Sequence, residues 1–168
     1  MSTPTLLIQP LVATHWPAVR AIYEAGIATG QATFTTEAPT WPAWDAGHLA
    51  TCRLVATTTG GQVLGWAALS AVSSRCVYAG VAEVSVYVAS EARGQGVGQQ
   101  LLAALVANSE QQGLWTLQAG IFPENAASLA LHASQGFRIV GRRERISQLR
   151  GQWRDTLLLE RRSAAVGT

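Results

Sequence analysis

Residues 82–107 read AEVSVYVASEARGQGVGQQLLAALVA, and the hydrophobic period changes once within that stretch. Val84, Val86 and Val88 alternate with Glu83, Ser85 and Tyr87, the period-two pattern of a strand. Leu101, Leu102, Leu105 and Val106 then recur at helical spacing, so a strand runs through Arg93-Gly94-Gln95-Gly96-Val97-Gly98 into a helix. The first backbone N–H groups of a helix lack intrahelical partners, and the aligned peptide dipoles place partial positive charge there. Glycine removes the Cβ atoms that would hold a ligand away from those groups, and Arg93 adds a full charge at the rim. The turn is therefore a cradle for a phosphate or pyrophosphate.

Two common phosphate loops are excluded by spacing. A P-loop ends in Gly-Lys-Ser/Thr, whereas Gly98 is followed by Gln99 and Gln100. A dinucleotide fingerprint reads Gly-x-Gly-x-x-Gly with an acid closing the next strand. Here the glycines fall at 94, 96 and 98, and the following strand, near 115–119, ends without one.

Outward from this unit, the sequence predicts a first strand at 5–9 and a helix over 14–28, with Thr14 as N-cap and Pro17 in its first turn. A loop at 29–39 leads to a short helix from Thr40 with Pro42 early in it. Strands at 52–58 and 63–71 are separated by the hairpin signal Gly60-Gly61. Gly113 closes the central helix. A strand near 115–119, a helix over 124–135 and strands at 137–143 and 154–160 complete the chain, and the tail from 161 is expected to be disordered. This order predicts one α/β domain over residues 1–168, a mixed sheet of about seven strands with helices on both faces.

Bulk properties fit that size. The chain has 168 residues, 48% hydrophobic and 13% charged, enough for one core and too few for two ordinary ones. A net charge of +2 without a basic stripe argues against nucleic acid, and Arg142, Arg143 and Arg145 read as a solvated strand end. Cys52 and Cys76 fall in predicted strands, with no second cysteine pair and no histidine at metal-ligand spacing, so reduced thiols and no metal are expected. No apolar run approaches a membrane span, which predicts a cytoplasmic protein with no membrane partner.

Arg93-x-x-Gly96-x-Gly98 after a strand carrying Glu83 resembles the acetyl-CoA loop of the GCN5-related N-acetyltransferase (GNAT) superfamily. A second motif in order, Asn125-Ala126-Ala127 through Leu131-His132 to Gly136-Phe137, is similar to that superfamily's helix ending in Gly-Phe. Residues 32–40, Trp44, Tyr78 and Gly151-Gln152-Trp153-Arg154-Asp155 resemble the phosphinothricin and methionine sulfoximine acetyltransferase branch, so the likeness spans roughly residues 5–160. Gln9 and Val84 depart from it, standing where the branch commonly has an arginine and a polar residue.

The resemblance implies a mostly antiparallel GNAT sheet whose central strand splays from its neighbour after the glycine loop, with acetyl-CoA as cofactor. It implies an acetyl transfer by direct attack of the α-amino group of a small amino acid or analogue, in a homodimer with Trp153 and the terminal strands at its interface. Such an attack needs a base, because an α-ammonium group is mostly protonated at neutral pH. Glu83 matches the family's base and can act directly or through a water. The N–H of Val86 matches the donor that polarises the thioester carbonyl. His132 stands where many relatives have a tyrosine and can protonate the thiolate or share base duty.

For the cofactor, Val86, Tyr87 and Val88 are expected along the pantetheine and Arg93, Gly94, Gln95, Gly96, Val97, Gly98 and Gln99 over the pyrophosphate. Asn125 and Ser134 are expected to bond the cofactor or, alternatively, to serve as cap and surface residues. For the acceptor, Arg75 offers a fork for a carboxylate. Phe34, Glu37, Cys76, Val77 and Tyr78 are expected around it. Two other functions stay open from the sequence: the same chemistry on a protein or peptide amine, a polyamine or an aminoglycoside, and a non-catalytic acyl-CoA-binding module.

Overall fold

The computed structural model describes residues 5–168. In chain order they form β1 (Leu6–Pro10), α1 (Trp16–Ala28), α2 (Trp41–Gly47), β2 (Leu54–Thr58), β3 (Val63–Ala71), β4 (Val81–Val88), α3 (Val97–Gln111), β5 (Thr116–Ile121), α4 (Ala126–Ser134), β6 (Arg138–Leu149) and β7 (Gln152–Arg162). The strands make one seven-stranded sheet in the order β1-β2-β3-β4-β5-β7-β6. Every pairing is antiparallel except that of β4 with β5.

Gly65 and Trp66, neighbours on β3, show how the two faces are covered. On one face, Leu101 and Val97 of α3 crowd Gly65 so closely that a Cβ there would meet them at 3.0 and 3.3 Å. Leu101, Leu102 and Leu105 are fully buried on that side, each stabilising the fold by on the order of 2 kcal/mol. On the other face, Trp66 stacks on Tyr87 of β4 at 4.8 Å, and Tyr23 of α1 sets its edge against both. Trp16, Trp41 and Trp44 extend this aromatic layer, so the tryptophans of α1, α2 and β3 serve the core. Helices thus cover both faces, as the alternation of strand and helix patterns predicts.

Several boundaries differ from expectation for local reasons. Thr14 is not the cap of α1: residues Ala13–His15 form a 3₁₀ turn, and Nδ1 of His15 accepts from the N–H of Val12 at 3.1 Å. Neither cysteine lies in a strand. Cys52 is buried in a bend with φ 57°, Cys76 is exposed in the 3₁₀ turn Cys76–Tyr78, and both thiols are free.

The last two strands run on to a tight hairpin at Arg150-Gly151, both with positive φ, and thereby frame more of the cleft described below. The tail expected to be disordered is instead tied down. Ser163 donates its N–H to Trp115 O at 2.8 Å and its hydroxyl to Glu110 at 2.9 Å, and the Arg162 guanidinium bonds the carbonyls of Val166 and Gly167. Among the described residues no helix is long and apolar enough to cross a membrane.

Candidate active site

β4 and β5 pair only from Val81–Thr116 to Glu83–Gln118. Beyond that rung β4 stays with β3 as far as Val88, while β5 stays with β7, so the parallel pair opens into a V. Two hydrogen bonds fix which groups of β4 face the gap. Gly80 O accepts from Thr116 N on the β5 side, and Ala89 N donates to Leu64 O on the β3 side. Backbone groups alternate along a strand, and the β3–β4 register is unbroken, so the N–H and C=O of Val86 and Val88 point into the gap. The splay expected from the resemblance is present, and it leaves a peptide edge with no strand to pair it.

One arm of the V ends in the anion cradle. Gly94 and Gly96 have φ of 73° and 79°, a conformation that disfavours any other residue, and a Cβ on either would point into open space. No side chain caps α3, and the first intrahelical bond here is Gln100 N to Gly96 O. The N–H groups of Val97, Gly98 and Gln99 therefore remain for a ligand. Gly98 serves packing: Leu131 of α4 and Val88 of β4 lie 3.2 and 3.4 Å from where its Cβ would be, which holds α4 against the cradle. Exposed donors, positive helix end and Arg93 suit a pyrophosphate.

Glu83 sits at the vertex, exposed, and its carboxylate accepts from the Gln118 amide at 3.1 Å. His132 is 4% exposed, packed edge-on against Phe137. Its Nδ1 lies 2.8 Å from Ser128 O, and because a carbonyl only accepts, Nδ1 carries the hydrogen. Nε2 is buried without a partner, and burial pushes the imidazole below its ordinary pKa, against the opposing pull of the Ser128 carbonyl. His132 at rest is thus neutral with a bare lone pair on Nε2, an acceptor of protons and not a donor. Tyr87 cannot compete for that role, since burial drives its hydroxyl far above the ordinary value.

Arg154 braces the outer wall. Its guanidinium lies 4.1 Å from the centre of the Phe122 ring and donates to Gly30 O, Gln31 Oε1 and Glu124 Oε2 at 3.1, 3.0 and 3.3 Å. Phe122 meets Phe34 edge-on at 5.0 Å. Asn125 caps α4, accepting from Ser128 N at 3.1 Å, and its amide donates to Gln31 O at 3.2 Å. The loop after α1 is in this way fastened to the turn before α4.

The resulting cleft encloses about 1050 Å³ and gathers most of the residues singled out in the sequence. Glu83, Val86 and His132 line it, as do Tyr87, Val88, Arg93, Gly94, Gly96, Val97, Gly98, Gln99, Asn125 and Phe34. Gln95 does not, because its side chain folds back onto Glu91 O at 2.8 Å, nor does Ser134, whose hydroxyl bonds Leu131 O at 2.6 Å. Glu37 lies beside Arg20, Glu24 and Arg150 in a separate depression.

Arg75, Cys76, Val77 and Tyr78 form an exposed turn outside the cleft, with the Arg75 guanidinium over the Tyr78 ring at 5.5 Å. Gln31, Phe122, Glu124, Arg143 and Thr156 line the cleft unannounced. Phe122 and Glu124 adjoin the Asn125 motif, which is the signal that could have found them. Among the described residues no group of three His, Cys, Asp or Glu is placed to hold a metal.

A model of the acetyltransferase (GNAT) family matches residues 18–137. An L-methionine sulfoximine/L-methionine sulfone acetyltransferase of Pseudomonas aeruginosa is 39% identical over 107 residues, 64% of this chain. That match spans 62% of the relative's own length. A phosphinothricin N-acetyltransferase of Alcaligenes faecalis is 35% identical over 154 residues, 86% of this chain and 76% of that one. Among solved structures, a GNAT superfamily phosphinothricin acetyltransferase from Sinorhizobium meliloti in complex with AcCoA superposes with a TM-score of 0.86 at 28% identity, covering 97% of this chain and 91% of the other.

Proposed function

The chain belongs to the acetyltransferase (GNAT) family, and on that premise we propose that it moves the acetyl group of acetyl-CoA to the α-amino group of a small amino acid or analogue of the phosphinothricin, methionine sulfoximine or methionine sulfone type. The observation that carries this reading is the V between β4 and β5, which sets a bare anion cradle, an unpaired Val86 N–H and the Glu83 carboxylate in one cleft. The named relatives at 39% and 35% identity support the acceptor class.

The cradle residues 93–99 would hold the pyrophosphate, and the Val86–Val88 edge would pair with the amides of the pantetheine arm. Bound acetyl-CoA supplies an activated acyl group as a thioester. The N–H of Val86 is the donor for charge that develops on the carbonyl oxygen, and it is already oriented into the gap. Glu83 takes the proton released when the acceptor's ammonium becomes an amine, directly or through a water, and Gln118 holds the carboxylate in place for it. As the C–N bond forms and the C–S bond breaks, the nitrogen sheds a second proton. Nε2 of His132 can accept that proton, and the same nitrogen can return it to the leaving sulfur. His132 does not begin as the acid.

The reading extends to a cytoplasmic homodimer. Ile139 and Val140 of β6 and Trp153 of β7 are 56%, 45% and 58% exposed, and this apolar surface on the last two strands supports pairing of two copies. A thiol-release assay with acetyl-CoA against phosphinothricin, methionine sulfoximine, methionine sulfone, common amino acids and a basic peptide tests the proposal. CoA release with the small amino-acid analogues is expected. Bound acetyl-CoA with no release above background for any amine would remove the enzymatic reading.

A further inference from the structure

The parallel pairing of β4 with β5 is the shortest join in the sheet. It has three rungs, against seven between β3 and β4 and six between β5 and β7, and Glu83 occupies the last of the three. A ladder this short opens easily, so the place of Glu83 depends on how the other end of the ladder is held. Gly80, just before β4, accepts through its carbonyl from the N–H groups of Trp115 and Thr116 at 2.8 and 3.1 Å. The Trp115 ring lies so close to Gly80 that a Cβ there would overlap it, so this approach is what requires glycine.

Trp115 is gripped in turn by the end of the chain. Its carbonyl accepts from the N–H of Ser163 at 2.8 Å and from Arg162 Nη1 at 3.2 Å. The same Nη1 donates to Ser163 O and Val166 O at 2.9 and 2.8 Å, and Nη2 donates to Gly167 O. One guanidinium thus folds the last residues back over Trp115. Gly167, at φ 69°, passes so near that a Cβ there would lie 2.9 Å from Trp115 Cβ. The Ser163 hydroxyl accepts from the N–H groups of Ala165 and Val166 at 3.0 and 3.1 Å and donates to Glu110, near the end of α3, at 2.9 Å. Glu110 also pairs with Arg161 at 3.0 Å.

We propose that residues 163–168 clamp Trp115 against Gly80 and through that contact hold Glu83 in register for proton transfer, with Trp115 as a positioning residue. The assignment rests on the acetyltransferase reading with Glu83 as its base. The cradle begins at the opposite end of α3, about 20 Å of helix from Glu110. The clamp therefore acts on the base and not on the donor.

Two variants test it. Arg162→Gln removes the guanidinium at the centre of the clamp, and a chain ending at Ser163 removes the residues folded over Trp115. Hydrogen exchange read by mass spectrometry is expected to be about tenfold faster in peptides carrying 81–83 and 116–118, the factor for losing a hydrogen bond to a charged group, and unchanged in the β2–β3 pair. Each variant is also combined with Glu83→Gln. On methionine sulfone, kcat is expected to fall about tenfold when Glu83 is present and less than about twofold when it is not, with the KM for acetyl-CoA kept within about twofold. Equal losses in the two backgrounds overturn the assignment, because a general support of the fold would act on both. Unchanged exchange at the β4–β5 pair in Arg162→Gln overturns it as well, whatever the activity, and this variant decides alone if the shortened chain does not fold. No acetylation of methionine sulfone, methionine sulfoximine or phosphinothricin by wild type overturns the acetyltransferase reading and this assignment with it.

Discussion

Glu83 faces Gln118 across the last rung of the β4–β5 pairing, and the amide of Gln118 donates to its carboxylate at 3.1 Å. The proposed base and the opening of the sheet therefore share one rung. Glu83→Gln should keep the fold and the affinity for acetyl-CoA while lowering turnover by about 10²-fold, the usual scale for losing a general base. The loss should be steepest at low pH, where the acceptor is almost all ammonium, and should shrink as rising pH supplies free amine. A pH–rate profile parallel to that of wild type would move the base elsewhere.

The cradle makes a separate prediction. Gly96→Ala adds a methyl group in open space, so nothing in the fold clashes, but it forces alanine to φ 79° at a cost of about 1 kcal/mol. The KM for acetyl-CoA should rise about tenfold, with little change in the KM for the amine. Equal rises in both would mean that the loop supports the whole cleft and does not hold the donor specifically.

Arg154 touches no proposed reacting atom, yet it joins Gln31, Phe122 and Glu124. Arg154→Ala should raise the KM for the amine about tenfold by freeing the loop that carries Phe34, while isothermal titration shows unchanged acetyl-CoA affinity. Arg154→Lys should recover little, because one ammonium cannot reproduce a stacked fork with several acceptors. Full recovery by lysine would reduce Arg154 to a surface charge.

His132 and His48 are both pushed below the ordinary histidine pKa, first by burial. A histidine whose folded pKa lies under its unfolded value favours folding while both states are neutral. That contribution is present above about pH 6.5 and is lost as pH falls toward the folded value. Urea midpoints should therefore fall between about pH 7.5 and about pH 5.5, and less so in His132→Phe. A wild-type midpoint that rises on acidification would contradict the neutral assignment of His132.

Much of this molecule was legible in its sequence because the informative signals were local. The switch of period around Gly96, the hairpin at Gly60-Gly61 and the short helix after Thr40 with Pro42 in its first turn each depend on residues a few positions apart, and each formed. The proposed donor side of the cleft reads locally for the same reason, since the turn after β4 and the helix after Asn125 both line the cleft.

The opposite wall of the cleft was not. It is assembled from the loop after α1, the end of β5 and the β6–β7 pair, brought together by bonds such as Arg154 to Gly30 that span most of the chain. Proximity to Glu83 in sequence pointed to Arg75, whereas the β3–β4 connection turns that residue outward. The length of β6 was not legible because Arg142, Arg143 and Arg145 look like a solvated strand end, whereas Asp155 ties Arg142 and Arg145 across the β6–β7 pair.

The most direct test of the central claim is identification of the product by mass spectrometry after incubation with acetyl-CoA and each of phosphinothricin, methionine sulfoximine and methionine sulfone. The account predicts the α-N-acetyl derivative of at least one, formed in step with free CoA and strongly reduced in Glu83→Gln. Acetyl-CoA bound and intact, with no acetylated amine from any of the three, would contradict it.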